Sequence, residues 1–127
     1  MQYTVNLIQG QKSGTFLDLR GLRKWLSLEK LNNKRVLNLF SYTGTLGLAA
    51  ETAGAKDIWN VDISEEALSV AKKNHTLDAK KHKFIKADIF EWLAPLDERE
   101  KFDLIIVDPP NMGSDISQVK NTLKTYE

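Results

Sequence analysis

Hydrophobic positions change their spacing twice along the first half of the chain, and this change predicts a strand, a helix and a second strand. The apolar run at residues 36–40 is as short and dense as a buried parallel strand. Small and polar residues at 41–44 end the run in a turn. Apolar residues then recur at helical spacing up to Gly54, and a second apolar run at 58–61 ends at Asp62. The pattern is typical of a βαβ unit.

The N-terminal residues alternate in polarity and contain a glycine-bounded turn, which predicts a β-hairpin. Its strands are expected at residues 3–8 and 15–17, on either side of a turn at 10–14. A helix follows, with Asp18 as its expected N-cap. The apolar stripe of this helix consists of Leu19, Leu22, Trp25, Leu26 and Leu28. We therefore divide the chain into a hairpin at residues 1–18 and a larger unit at residues 19–127.

A second helix and a third strand are predicted after Asp62. Ser64 is the expected N-cap of the helix. Its apolar stripe consists of Ala67, Leu68, Ala71 and Leu77. The strand at residues 84–87 ends at Asp88, which is suited to cap a short helix at residues 89–93. A second carboxylate is therefore expected at the carboxyl end of a strand.

The most apolar strand of the chain is predicted at residues 102–107, and its composition suits the centre of a sheet. It ends in Asp108-Pro109-Pro110, whose prolines direct the backbone out of the sheet. A last amphipathic helix is indicated by Ile116, Val119 and Leu123. The chain thus predicts four parallel strands, each followed by a turn or residue suited to binding a ligand.

Composition narrows the class of protein. The 127 residues are 42% hydrophobic and 28% charged, as in an ordinary globular domain. The absence of cysteine excludes disulfides, thiolate metal sites and a cysteine nucleophile within these residues, and it suits a reducing, cytoplasmic compartment. Neither a signal peptide nor an apolar run of membrane-spanning length is visible.

Charge is unevenly distributed although the formal net charge is only +1. An early basic cluster contains Arg20, Arg23, Lys24, Lys30, Lys34 and Arg35, and a middle one contains Lys72, Lys73, Lys80, Lys81, Lys83 and Lys86. Acidic residues gather at Asp97, Glu98 and Glu100. Basic clusters can follow a phosphate backbone. The alternative is that these lysines only form a solvated surface.

The βαβ unit predicts a nucleoside ligand. Asp62 follows Gly44 by 18 residues, close to the spacing of roughly 20 residues expected for an acidic ribose ligand. Ser41 and Tyr42 stand where a dinucleotide fingerprint has glycines, which disfavours a diphosphate. A nucleoside without phosphates fits better, and S-adenosylmethionine is the candidate. The alternative is an ordinary βαβ unit with an incidental Asp62.

The motifs that carry these features resemble those of class I S-adenosylmethionine-dependent methyltransferases. The matching segments are VLNLFSYTGTLGLAA, NVDISEEALSVAKKN, FIKADIFEWL and FDLIIVDPP. The segment GQKSGTFLDLR further resembles a signature of methyltransferases that act on large-subunit ribosomal RNA, a family with cytosine-5 and guanine-N7 members. The resemblance implies a Rossmann-like three-layer α/β sandwich, incomplete in this chain and preceded by the hairpin.

The resemblance also implies a role for each matching residue. Residues 40–44 would surround the methionine part of the cofactor, Asp62 would hold the ribose, and Asp88 would accept from the adenine amino group. Ile63 would lie beside the adenine and Ile89 would pack on its ring. Lys12, Phe16 and Asp18 would close over the methionine end. The implied cofactor-binding residues are Lys12, Phe16, Asp18, Phe40, Ser41, Tyr42, Thr43, Gly44, Asp62, Ile63, Asp88, Ile89 and Asp108. The implied catalytic residues, which would line the pocket for the target base, are Asp108, Pro109 and Pro110. No metal ligand is implied.

The chain departs from the family in two ways. Asn111-Met112 follows the prolines, whereas the family has an aromatic residue at the second of these places. The later strands, the nucleophilic cysteine of the cytosine-5 members and an RNA-docking domain are also absent. We expect a fragment of a longer protein, a truncated relative, or a half that assembles with a second copy. Each of the three leaves the open edge of the strand at 102–107 in need of a partner.

Three functions are compatible with these residues. The first is methylation of a base of ribosomal RNA, with this chain as the cofactor-binding half and RNA as the partner. The second is a cofactor-binding module that performs no transfer. The third is an N-methyltransferase for another nucleic acid or a protein, because an Asp-Pro-Pro wall also suits amine nitrogens.

Overall fold

Four strands and their connecting helices occur in the predicted order in the computed structural model, which describes residues 19–96 and 99–110. The helices are α1 (Arg20–Leu28), α2 (Thr45–Thr52), α3 (Glu65–Asn74) and α4 (Ile89–Leu93), with a 3-10 turn at Ala79–Lys81. The strands are β1 (Arg35–Leu39), β2 (Asp57–Asp62), β3 (His82–Lys86) and β4 (Leu104–Val107). The hairpin at residues 1–18 and the helix predicted around Val119 lie outside the described residues.

The strands form one parallel sheet in the order β3-β2-β1-β4. This confirms the prediction of four parallel strands. Because β2 and β3 extend the sheet on one side of β1 and β4 extends it on the other, the strand order reverses between β1 and β4. Ligands of open α/β sheets bind at such a reversal, outside the carboxyl ends of the strands. Asp62 is the last residue of β2, and the turn at 40–44, Asp88 and Asp108 follow the other three strands at this edge.

Helices cover both faces of the sheet, and each face has its own core, as the predicted α/β sandwich requires. The core beneath α1 and α2 consists of Leu26, Val36, Leu46, Ala49, Ala50, Ala55 and Ile58. The core beneath α4 consists of Leu37, Leu39, Trp59, Val61 and Ile89. Alternate residues of β1 and β2 thus enter opposite cores, which is why both strands are apolar throughout.

Helix α1 differs from its prediction. Its N-cap residue is Leu19 and not the expected Asp18, which lies outside the described residues. The predicted stripe is also largely wrong, because Trp25 is 55% exposed, and Leu22 and Leu28 are exposed as well. The helix instead buries Arg23 and Leu26, in line with the partly buried Leu19. Their spacing of four and three residues defines the inner face, and the aliphatic stem of arginine can occupy such a position.

Helix α3 confirms its cap and most of its stripe. The Ser64 hydroxyl accepts a hydrogen bond from the Ala67 N–H at 3.2 Å, and Ala67, Leu68 and Ala71 are buried. Leu77 is exposed, contrary to its predicted place in the stripe. The helix ends at Asn74, and the Leu77 N–H instead donates to the Glu51 carboxylate at 2.9 Å.

A chain of buried polar side chains joins α2 to three strands, and the sequence did not indicate it. The Asn38 amide donates to Asn60 at 3.0 Å, and Asn60 lies 3.1 Å from His82 Nδ1. His82 Nε2 lies 2.9 Å from the Glu51 carboxylate. Gly47 of α2 makes room for this chain, since a Cβ there would meet Asn60 Oδ1 at 2.3 Å. These contacts fix α2, and therefore its N-terminus, against the sheet.

Part of the early basic cluster is used in ion pairs at the amino end of the sheet. Arg35 contacts Asp57 at 2.9 Å and Glu100 at 2.8 Å, and these hydrogen bonds raise the pKa of its guanidinium. Asp103 accepts from the Arg35 N–H at 2.8 Å and pairs with Lys34 at 3.0 Å. The backbone hydrogen bond, followed by the lysine, lowers the pKa of Asp103. Lys34 and Arg35 are therefore structural and lie opposite the ligand edge.

β4 is apolar as predicted, but in the part of the chain that the structure describes it is an edge strand rather than a central one. Its only strand partner there is β1. Leu104 and Ile106 pack on the core beneath α2, whereas Ile105 and Val107 are exposed. The open edge expected for this strand is thus present among the described residues.

Candidate cofactor-binding site

The turn after β1 has an unusual backbone. Phe40, Tyr42 and Gly44 have φ angles of 54°, 45° and 75°, all in the left-handed region. Glycine adopts this conformation readily, whereas for the two aromatic residues it is strained. Strain of this kind costs on the order of 1–3 kcal/mol per residue and concentrates at functional sites. The turn therefore needs contacts that hold it in place.

Hydrogen bonds from β2 hold this turn. The Ser41 N–H donates to the Val61 carbonyl at 3.1 Å, and the Tyr42 N–H donates to Asp62 Oδ2 at 2.7 Å. Within the turn, the Gly44 N–H donates to the Ser41 carbonyl at 2.8 Å. Asp62 thus supports the turn in addition to facing the ligand edge, a second role that sequence reasoning missed.

Asp62 retains acceptor capacity for a ligand. Its Oδ1 accepts from the Ser64 N–H at 2.9 Å, and its Oδ2 accepts from Tyr42. A carboxylate offers about four lone-pair sites, so two backbone hydrogen bonds leave room for two hydroxyl donors. Although the residue is largely buried, the neighbouring Ile63 is 67% exposed and offers an apolar surface beside it.

The N-terminus of α2 differs from those of α3 and α4, because its N-cap residue is Gly44, which has no side chain to accept a hydrogen bond from the first N–H groups of the helix. In α4, by contrast, Asp88 Oδ1 accepts from the N–H groups of Phe90 and Glu91 at 3.0 and 3.3 Å. The first N–H groups of α2 are therefore left for a ligand at the carboxyl edge of the sheet. A side chain at Gly44 would not fit, since its Cβ would lie 2.7 Å from Ala71 Cβ.

Ser41 has an unpaired polar atom in this turn. Its hydroxyl oxygen is buried and has no hydrogen-bond partner among the described residues. A buried polar atom without a partner costs roughly 1–3 kcal/mol, and in a native site it often marks the position of a ligand. The uncapped helix, the close approach at Gly44 and this hydroxyl together fit a small polar ligand.

The residues after β3 differ from one another in exposure and in hydrogen bonding. Asp88 caps α4 through Oδ1, which leaves Oδ2 for a ligand. Ile89, expected on the adenine ring, is only 5% exposed and belongs to the core beneath α4. Phe90 is 37% exposed and meets Phe40 edge-to-face, with ring centroids 6.0 Å apart. Sequence reasoning missed Phe90, although its place two residues after a strand-end acid could have indicated it.

The Asp108-Pro109-Pro110 segment follows β4, next to β1 in the sheet. Asp108 and Pro109 are half-buried, and Pro110 is exposed. The segment therefore stands at the same edge as the turn and forms a separate wall there. Lys12, Phe16 and Asp18 lie outside the described residues.

Two further kinds of site were sought in the described residues. Within 19–96 and 99–110, no group of three or more histidine or acidic side chains is arranged to hold a metal ion. No helix in these ranges has both the length and the apolar character needed to cross a membrane.

The relatives of this chain include proteins named ribosomal RNA large subunit methyltransferase I. Those of Citrobacter koseri and Tolumonas auensis are 39% and 40% identical to it over 131 residues. These alignments cover 100% of this chain and 33% of each relative. The chain therefore spans about one third of the length of these relatives.

Solved structures share the fold. SMU.776, a candidate methyltransferase in complex with SAH, is 32% identical with a TM-score of 0.75; the match covers 87% of this chain and 30% of that one. The SAM-dependent methyltransferase from Agrobacterium tumefaciens is 31% identical with a TM-score of 0.68. That match covers 80% of this chain and 34% of the other.

A family of S-adenosylmethionine-dependent methyltransferases matches residues 1–122. This range includes the turn at 40–44, the acids at the ends of β2 and β3, and the wall after β4. On the extent of this match, the chain belongs to the S-adenosylmethionine-dependent methyltransferase family.

Proposed function

We propose that this chain binds S-adenosylmethionine at the carboxyl edge of its sheet and forms the cofactor-binding part of a methyltransferase. One observation carries this proposal: Asp62 Oδ2 accepts a hydrogen bond from the Tyr42 N–H at 2.7 Å and so holds the strained turn. One residue thus orders the turn and offers acceptors to a ribose. Family membership and the SAH complex of SMU.776 support the same ligand.

The proposed roles follow from exposure and hydrogen-bonding capacity. Asp62 accepts from the ribose hydroxyls, and Asp88 Oδ2 accepts from the adenine amino group. Ile63 and Phe90 supply exposed apolar surface for the adenine. Ile89 contributes through the core in which it is buried. The Ser41 hydroxyl and the N–H groups of α2 face the methionine part. By resemblance, the methionine end is also covered by Lys12, Phe16 and Asp18.

The proposed contribution to catalysis is positioning. The cofactor, when bound, supplies a methyl group on a sulfonium, and its transfer is an in-line displacement that depends on the alignment of donor and acceptor. Asp108, Pro109 and Pro110 form the wall against which the target base is oriented. Two consecutive prolines restrict the backbone there, so the wall retains its shape while a planar base binds.

Calorimetric titration of the 127-residue chain with S-adenosylhomocysteine tests the proposal, with NAD and ATP as controls. We expect saturable binding of S-adenosylhomocysteine alone, because the turn lacks the glycines that a diphosphate requires. The same titration on any longer, full-length protein that contains this chain accounts for parts of the pocket supplied from elsewhere. Failure of both folded proteins to bind, or equal binding of NAD, would contradict the proposal.

We further propose RNA, and large-subunit ribosomal RNA in particular, as the substrate of the whole protein. The names of the relatives support this class. Charge supports it as well, since residues 72–86 contain six lysines and one aspartate in a chain with a net charge of +1. A target base within RNA must be unstacked or unpaired to reach the wall after β4.

The middle basic cluster lies along one side of the sheet. Lys72 and Lys73 are in the last turn of α3, Lys80 and Lys81 in the 3-10 turn, and Lys83 in the edge strand β3. Lys83 lies over the Trp59 ring at 4.0 Å. Lys86, in the same strand, pairs with Glu65 at 2.8 Å. Lys72, Lys73, Lys80 and Lys81 form no ion pair with a described residue. Their charges are therefore available to phosphates.

Changing Lys73, Lys80 and Lys81 together to glutamine should weaken RNA binding by the full-length protein and reduce its dependence on salt. Each lost phosphate contact lowers the slope of log affinity against log salt by about 0.7 for single strands, so we expect a decrease of about 2. The matched control changes Lys30, Lys56 and Lys101, with the same loss of charge. Filter binding across a salt series measures the affinity for RNA and its salt slope in both variants. Equal slopes in the two variants would contradict a role for this surface.

Methyl transfer from labelled cofactor distinguishes the remaining alternatives. Labelled ribosomal RNA would support the proposed substrate, and labelled protein would favour the N-methyltransferase alternative. The binding module without transfer is favoured only by the one-third coverage of the relatives. The full-length protein, incubated with ribosomal RNA, is therefore the sample that decides between transfer and binding alone.

A further inference from the structure

We propose that His75 is a positioning residue for the cofactor turn. It lies at the C-cap of α3 and is only 1% exposed. Its Nδ1 is hydrogen-bonded to the carbonyl oxygen of Thr43, 32 residues earlier in the chain. This inference rests on the proposed function, because the turn that His75 contacts is the one assigned to the cofactor.

The geometry assigns the proton on the ring. A carbonyl oxygen can only accept a hydrogen bond, so His75 Nδ1 must carry the hydrogen and donate it to Thr43. Nδ1 carries a hydrogen in this tautomer and in the protonated ring alike. The contact is therefore maintained in both charge states, and its function is to hold the turn rather than to exchange a proton.

The peptide between Thr43 and Gly44 is held at both of its polar ends. Its carbonyl accepts from His75, and its N–H donates to the Ser41 carbonyl at 2.8 Å. Rotation of this peptide would break both hydrogen bonds and change the polar groups that the turn presents. His75 prevents this rotation, which matters because Tyr42 and Gly44, the neighbours of Thr43 in the chain, are both in left-handed conformations.

Helix α3 supports the turn sterically as well. Ala71 precedes His75 by one helical turn and packs closely against Gly44. A Cβ added to Gly44 would lie only 2.7 Å from the Cβ of Ala71. The helix thus contributes a hydrogen bond to one side of the Thr43–Gly44 peptide and a surface against the other. The second histidine, His82, contacts Asn60 and Glu51 instead, so the contact with the turn is specific to His75 among the two.

The test compares two substitutions of His75 in the 127-residue chain. His75→Asn can place an amide N–H near the position of Nδ1, whereas His75→Leu fills the space without a donor. We expect His75→Leu to bind S-adenosylhomocysteine about tenfold more weakly, the effect of one hydrogen bond of about 1.4 kcal/mol. His75→Asn should stay within about threefold of wild type, and calorimetric titration measures all three proteins.

A control separates positioning from general stability. Thr76→Val removes the hydrogen bond of the Thr76 hydroxyl to the Ala71 carbonyl at 3.0 Å, just past the end of α3, which involves no atom of the turn. It should lower the free energy of unfolding in urea while leaving affinity unchanged. The carbonyl carbon-13 shift of Thr43 should move in His75→Leu and not in Thr76→Val, which reports the contact without any ligand.

Several results would overturn the inference. One is wild-type affinity in His75→Leu despite a lowered free energy of unfolding, because His75 would then be merely structural. Another is a folded His75→Asn chain that binds S-adenosylhomocysteine as weakly as His75→Leu, because the hydrogen-bond donor at this position would then be irrelevant. If the wild-type chain and the full-length protein both ignore S-adenosylhomocysteine, the proposed function itself fails. The Thr43 carbonyl shift is measured without ligand, so it reports the His75 contact even if the proposed function fails.

Discussion

Replacing Asp62 with alanine should weaken the binding of S-adenosylhomocysteine by roughly 5- to 150-fold, or about 1–3 kcal/mol. Two effects contribute to this loss. The ribose hydroxyls lose their acceptor, and the Tyr42 N–H, now 2.7 Å from Asp62 Oδ2, loses the partner that holds the strained turn. Calorimetric titration of the wild-type and variant chains measures the change.

The same strand supplies a matched control at its other end. Asp57 begins β2 and contacts the side chains of Arg35 at 2.9 Å and Trp59 at 3.0 Å, opposite the ligand edge. Asp57→Ala should therefore lower stability without changing affinity. Unchanged affinity in a folded Asp62→Ala, or an equal loss in Asp57→Ala, would remove Asp62 from the proposed site.

Gly44→Ala should lower the free energy of unfolding by about 3 kcal/mol and abolish cofactor binding. A left-handed non-glycine residue and an overpacked contact each cost about 1–3 kcal/mol. Both apply here, because the φ of Gly44 is 75° and its added Cβ would lie 2.7 Å from Ala71 Cβ. Urea unfolding, followed by titration under conditions where the variant is folded, measures both effects.

Gly21→Ala is the control for this substitution. Gly21 lies in the first turn of α1, and a Cβ there would meet no described atom within 4 Å. Alanine should therefore stabilise the chain by about 0.5 kcal/mol or less, since glycine costs roughly 0.5–1 kcal/mol in a helix interior and Gly21 is only the second residue of the helix. A Gly44→Ala chain that is as stable as wild type and binds S-adenosylhomocysteine normally would show that the turn tolerates a side chain.

The parts of the fold that depend on local pattern were predictable. The first strand, the turn that contains Gly44 and the acid at Asp62 follow from short-range spacing and composition, although the strand ends at Leu39 and Phe40 already belongs to the turn. The cap at Ser64 follows in the same way, because its hydroxyl bonds a backbone N–H only three residues later. The edge at which Asp62, Asp88 and Asp108 stand follows from the parallel arrangement of consecutive strands.

The parts that depend on distant contacts were not predictable. Helix α1 has two possible apolar faces, and packing against α2 selected the one with Arg23 over the one with Trp25. The buried contact of Glu51 with His82 joins residues 31 apart. The left-handed conformation of Phe40 has no sequence signal, because an aromatic residue is not expected there.

The strand order has a consequence for synthesis on the ribosome. Pairing of β1, β2 and β3 joins neighbours in the chain, whereas β4 returns to β1, with Val36 opposite Leu104. Such a distant pairing carries a larger loop-closure entropy and forms later. The turn, Asp62 and Asp88 can therefore assemble while residues near Pro110 are still within the ribosomal tunnel. The residues proposed for the methyl donor thus assemble before the wall proposed for the methyl acceptor, in the same order as they occur in the sequence.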